Sequence, residues 1–120
     1  MQSLFDYAGS LERMGGDKQL FGEMVGFLLT DGPVWLEQVR QGLERQDANL
    51  VHRSAHTLKG LVANFGAQPA VSAAARVERL AREDVSLASA RQALPALESA
   101  VQELETALAP YHQPPDVAAR

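Results

Sequence analysis

The chain has 120 residues and a mass of 13.0 kDa, the size of a single domain, which argues against two independent hydrophobic cores. Hydrophobic residues at 46% and charged residues at 22% exclude a disordered chain, while a formal charge of −4 and a pI of about 5.3 argue against general nucleic-acid binding. There is no cysteine, which excludes a disulfide framework, a thiolate nucleophile and a cysteine-ligated metal.

Leu4 to Met14 can form a short helix, weakened by Gly9. Gly15-Gly16 then breaks the chain, and Asp17 caps a helix reaching Leu29, with Leu20, Phe21, Met24, Val25, Phe27 and Leu28 apolar. Thr30-Asp31-Gly32-Pro33 reads as a turn, with Pro33 opening a further helix over Val34–Arg45. Asp47 caps the next helix, whose periodicity runs to Phe65, and Gly66 is placed to stop it. Pro69 opens a helix that ends near Arg82 or Glu83. Asp84 or Ser86 caps a last helix to about Ala109, in which Pro95 should produce a kink or a split. Beyond Tyr111 the proline-containing tail is expected to fray.

No alternating, strand-like stretch competes with this pattern. The expected fold is therefore all-α: an antiparallel up-down four-helix bundle with a short N-terminal helix. It forms one domain over residues 1–120, with the bundle at about 4–109 and a C-terminal tail at 110–120. No apolar run approaches the roughly 18–20 residues of a membrane span. Met1-Gln2-Ser3-Leu4-Phe5-Asp6 lacks the pattern of a secretory signal, so the expectation is a cytoplasmic chain without membrane insertion.

The helix from Asp47 to Phe65 carries the chemistry. With His56 set at zero on a wheel of about 100° per residue, Leu50, Val51, Ala55, Leu58, Leu61, Val62 and Phe65 fall between roughly 120° and 260°. His56 lies opposite that stripe and points to solvent. Asn49, His52, Arg53, Lys59, Gly60 and Ala63 share its half of the helix. A glycine inside a helix costs about 1 kcal/mol relative to alanine, and Gly60 projects away from the apolar stripe. A side chain at that position would block approach to the imidazole.

An exposed imidazole flanked by cations suits a group that carries a phosphoryl. Neutral imidazole is a competent nucleophile near pH 7, and positive side chains one turn away can balance phosphoryl charge. The transfer itself is largely positioning and charge stabilisation, so a rigid helix presenting one nitrogen is a sufficient contribution.

The segment Ala55-His56-Thr57-Leu58-Lys59-Gly60-Leu61-Val62-Ala63-Asn64-Phe65-Gly66-Ala67 resembles the signature of histidine-containing phosphotransfer (HPt) domains. That signature is His-x-Leu-Lys-Gly followed, after a short helical stretch, by Gly-Ala. The stretch from Leu4-Phe5-Asp6 through Gly15-Gly16-Asp17 resembles the family's opening, and the likeness covers about residues 4–109. Leu61-Val62, where small residues are common, and Pro69-Ala70 are mild departures. The resemblance implies a bundle without kinase activity that passes phosphoryl groups between aspartates of receiver domains. It implies His56 as phosphoacceptor through Nε2, Lys59 assisting the phosphoryl group, and Gly60 keeping the docking surface open. Asn49, His52, Arg53 and Ala63 would complete the docking face. The implied partners are response-regulator receivers and a sensor histidine kinase, which could belong to the same chain. Mg²⁺ is expected in the receiver, none on this chain, and a monomer is the default.

Other readings of these residues are weaker. His52 and His56 have the spacing of a helical metal pair, but Arg53 and Lys59 would repel a cation. Ser54 has no aspartate at fixed spacing to support a hydrolase triad. Gly22 and Gly26 read as close helix packing within the bundle, and His112 as functionally silent. Arg76, Arg79 and Arg82 form a row that can pair with Glu78 and Glu83 or meet an acidic receiver surface. A docking module that regulates without taking phosphate would use the same face as a carrier. A chemotaxis-type kinase domain shares much of the motif, but its small residues after Lys-Gly are not matched here.

Overall fold

Three aspartates set the starts of helices. Asp6, Asp17 and Asp47 each sit in extended backbone, and each carboxylate accepts the amide N–H three residues on, from Gly9, Leu20 and Leu50. The computed structural model describes residues 3–114 and places there α1 (Tyr7–Arg13), α2 (Lys18–Glu44), α3 (Ala48–Ala63), α4 (Gln68–Glu83) and α5 (Ala88–Leu108). A short 3₁₀ turn, Ala109–Tyr111, follows α5. No strand occurs among the described residues, and no helix is long and apolar enough to cross a membrane.

The four long helices form a closed ring of neighbours. α3 packs on α2 and α4, α4 on α5, and α5 returns to α2. The connections span only residues 45–47, 64–67 and 84–87, as an up-down bundle requires. At the centre lie Val25, Leu28 and Val39 of α2, Val51, Leu58 and Val62 of α3, Val77 of α4, and Leu97, Val101 and Leu104 of α5. Each such side chain contributes roughly 1.5–3 kcal/mol when fully buried.

The turn expected at Thr30–Pro33 does not form. α2 runs through it as one helix of 27 residues with Pro33 inside. The reason is the buried stripe Phe21, Val25, Leu28, Gly32, Leu36, Val39 and Leu43, which keeps a three-four spacing straight across the proline. Burying both halves on one core outweighs the donor that Pro33 lacks, about 3 kcal/mol in an unsupported helix. Pro95 is likewise inside a single helix, Ala88–Leu108, and does not split it.

The start of α5 has an unusual backbone. Leu87 is left-handed, with φ 63°, although its side chain is fully buried. Asp84 ties down both sides of it, accepting from Ser86 N–H and Oγ–H and from Ser89 N–H and Oγ–H. The N-cap is therefore Leu87 and not Asp84 or Ser86 as expected, although Asp84 and Ser86 still accept the first amides of the helix, Ser86 Oγ from Ala88 and Asp84 from Ser89. Gly66, at φ 59°, is the left-handed residue that follows α3.

Residues 112–114 do not fray but lie along α2. The Gln113 amide donates to the Gly22 carbonyl at 3.1 Å, and Gln19 Nε2 donates to the Pro114 carbonyl at 3.1 Å. Tyr111 packs among Phe5, Tyr7 and Phe21 with ring centroids 5.2–5.7 Å apart. Gly22 and Gly26 therefore admit the chain's own C-terminal segment, rather than a neighbouring bundle helix, and His112 lies against Gly26. Fraying beyond residue 114 lies outside the described residues.

Candidate functional site

Helical register decides where each side chain of α3 points. Val51, Ala55, Leu58 and Val62 are completely buried, and His56, on the opposite face, keeps 64% of its side chain exposed. Asn49, Arg53, Gly60 and Ala63 are exposed along the same helix. A Cβ built on Gly60 would meet nothing within 4 Å, so no packing within the chain requires a glycine there.

The neighbouring helix completes the site. α4 turns Ala70, Ala74, Val77 and Ala81 inward, and these small residues let it approach α3 closely. Glu78 follows Val77 at the edge of that stripe and leans onto α3, only 14% exposed. Its Oε2 lies 2.7 Å from His56 Nδ1, and its Oε1 accepts from Lys59 Nζ at 2.7 Å. Burial alone would push this carboxyl up. The hydrogen bonds from Lys59 and then His56 more than reverse that, and hold it below the usual carboxylate range.

An ionised carboxylate can only accept, so the proton of neutral His56 sits on Nδ1. Nε2 then carries the free lone pair and faces outward. A second tautomer is set in the same way. Arg82 Nη2 approaches His52 Nε2 to 2.5 Å, and because a guanidinium only donates, His52 Nε2 is the acceptor. The two imidazoles, one turn apart, are nearly parallel, with planes 7° apart and centroids separated by 6.4 Å.

The structure thus brings His52, His56 and Lys59 together on Glu78. Asn49 and Ala63 lie outside that cluster, and the Arg53 side chain bonds the Asn49 carbonyl of its own helix. A cleft of about 500 Å³ runs past His56 between Trp35 of α2 and Glu78 and Arg82 of α4.

Two expectations about α4 need correction. Glu78 does not neutralise the arginine row but faces α3, and Arg82 leaves the row to meet His52. Among the described residues Arg79 alone of the row pairs as expected, with Glu83 at 3.7 Å. Glu78 was legible in principle, since it falls four residues after Ala74 and three before Ala81, at the border of an apolar stripe. An acid at that border faces a neighbouring helix rather than open water.

Neither the curated proteins nor the solved structures include a match to the chain. The Hpt domain family model matches residues 23–107, a span that holds α3 and α4 entire and most of α2 and α5. On that match the chain belongs to the Hpt domain family, the histidine phosphotransfer modules of two-component phosphorelays.

Proposed function

We propose that His56 is the residue that takes and gives the phosphoryl group, reacting through Nε2. The observation that carries this is the 2.7 Å contact between His56 Nδ1 and Glu78 Oε2, which engages one ring nitrogen and leaves the other bare. In the forward step the Nε2 lone pair attacks phosphorus in line. The P–N bond forms as the P–O bond to the receiver aspartate breaks, and the electron pair leaves on that carboxylate. The ring gains positive charge as it attacks, and Glu78 on the Nδ1–H side stabilises it. The reverse step regenerates the same free nitrogen.

Lys59 starts from a different place than a simple phosphate clamp. Its ammonium is held by Glu78, so in the resting chain it fixes the carboxylate that orients His56. It stays within a turn of the imidazole and can share its charge with the incoming phosphoryl group. Gly60 offers open backbone beside the ring. Asn49, His52, Arg53 and Ala63 extend the face on which a receiver would dock.

Hpt domains work with receiver domains and kinases and are carriers rather than catalysts. On this proposal Mg²⁺ and most catalytic groups belong to the receiver, and this chain is a cytoplasmic monomer with no kinase activity of its own. The test is transfer from receivers charged with a small phosphodonor and Mg²⁺ to wild type, His56→Gln and His52→Gln. Label that is acid-labile and base-stable, and lost only in His56→Gln, is the expected result. Receiver binding without label, on a panel active towards other acceptors, would replace the carrier with a docking module.

A further inference from the structure

We propose that His52 is a positioning residue that competes with His56 for Glu78, so that protonation of His52 slows phosphoryl uptake at His56. This rests on the reading of His56 as the acceptor.

Glu78 Oε2 lies between two imidazoles. It is 2.7 Å from His56 Nδ1 and 3.6 Å from His52 Nε2. Arg82 decides which ring has it, by donating to His52 Nε2 and holding that nitrogen as an acceptor. Protonation of His52 removes the lone pair that Arg82 uses and sets two donors and two positive charges face to face. The nearest acceptor for the new N–H is Glu78 Oε2, which a shift of about 1 Å brings into range of a charge-assisted bond.

The consequence for His56 follows from the carboxylate's limited charge. Lys59 keeps Oε1, and His52 now shares Oε2, so less negative charge remains for His56 Nδ1–H. Nε2 becomes a weaker nucleophile, and the positive charge that builds on the ring during attack meets a second cation one turn away. Glu78 and Arg82 from α4 are the charged groups facing His52, and its own helix adds His56 and Arg53. α2 contributes the neutral Trp35 to the shared cleft, and the connection after α4 contributes Val85.

Two readouts on the whole chain test this. The first is transfer from one charged receiver at pH 8 and pH 6, for wild type and His52→Gln, whose amide oxygen can still accept from Arg82. Without His52 no competing cation forms beside Glu78 at pH 6, so the rate at pH 8 divided by the rate at pH 6 should be smaller in the variant than in wild type. An unchanged ratio overturns the proposal. Arg82→Met should slow transfer at pH 8 in the wild-type background but not in His52→Gln, and equal slowing in both also overturns it.

The second readout needs no receiver. The pH dependence of the ring-nitrogen NMR shifts of His56 should differ between wild type and His52→Gln. Identical curves would contradict the coupling. Should no receiver label His56, the carrier reading itself fails, and the NMR comparison still decides whether His52 and His56 are linked.

Discussion

Glu78 joins His56 and Lys59 through opposite oxygens of one carboxylate, each contact 2.7 Å long. The bridge crosses from α4 to α3, so the orientation of the His56 ring depends on helix packing as well as on its own helix. Glu78→Gln keeps the shape but removes the charge, and its one amide oxygen can replace only one of the two acceptors that His56 and Lys59 use. Transfer to His56 should slow on the order of tenfold, a barrier increase of about 1.4 kcal/mol, while the helical content stays at the wild-type level. Transfer kinetics with circular dichroism on the same samples checks both halves.

Gly60→Ala should separate stability from function. The new methyl meets no atom of the chain, and alanine is the better helix former. Denaturant unfolding should show a gain of about 0.5–1 kcal/mol, while transfer from a receiver should fall, as the proposed docking role of Gly60 requires. A variant that is less stable would contradict the open environment of Gly60.

Asp84 makes the fold sensitive to acid. Hydrogen bonds from Ser86 and then Ser89 hold its carboxyl at about 2, against an ordinary 3.8. A carboxyl depressed in the folded state stabilises the fold above its unfolded value and loses that contribution as pH falls through the folded one. Asp84→Asn should therefore melt below wild type at pH 7. The gap should close between about pH 4 and pH 2, as thermal unfolding across that range would show.

The C-terminal segment should respond unequally to two glycine substitutions. A Cβ on Gly22 would lie 2.8 Å from the Tyr111 carbonyl oxygen, which is backbone, and 2.7 Å from Gln113 Cβ. On Gly26 it would meet only the ring end of His112, at 2.8 Å from Nε2, and that ring can swing aside. Gly22→Ala should cost about 1–3 kcal/mol and speed deuterium exchange at the Gln113 amide, whereas Gly26→Ala should do neither.

How much of this was legible in the sequence depended on whether the signal was local. Asp17 and Asp47 announced helix starts, Gly66 a helix end, and the periodicity around His56 its exposure, because each depends on neighbours within a turn or two. Thr30–Pro33 misled for the same reason. A local turn signature was overridden by the stripe from Phe21 to Leu43, which only a bundle can use. Glu78 and the strap at residues 112–114 depend on partners 19 or more residues away, where spacing along one helix is silent.

On the proposed mechanism Glu78, by holding Nδ1, directs phosphate to Nε2 of His56. The most direct test is phosphorus and nitrogen NMR of the chain after labelling by a charged receiver. One phosphohistidine is expected, His56, with phosphorus on Nε2 and a proton still on Nδ1. Phosphorus on Nδ1 of His56, or on His52, would contradict it.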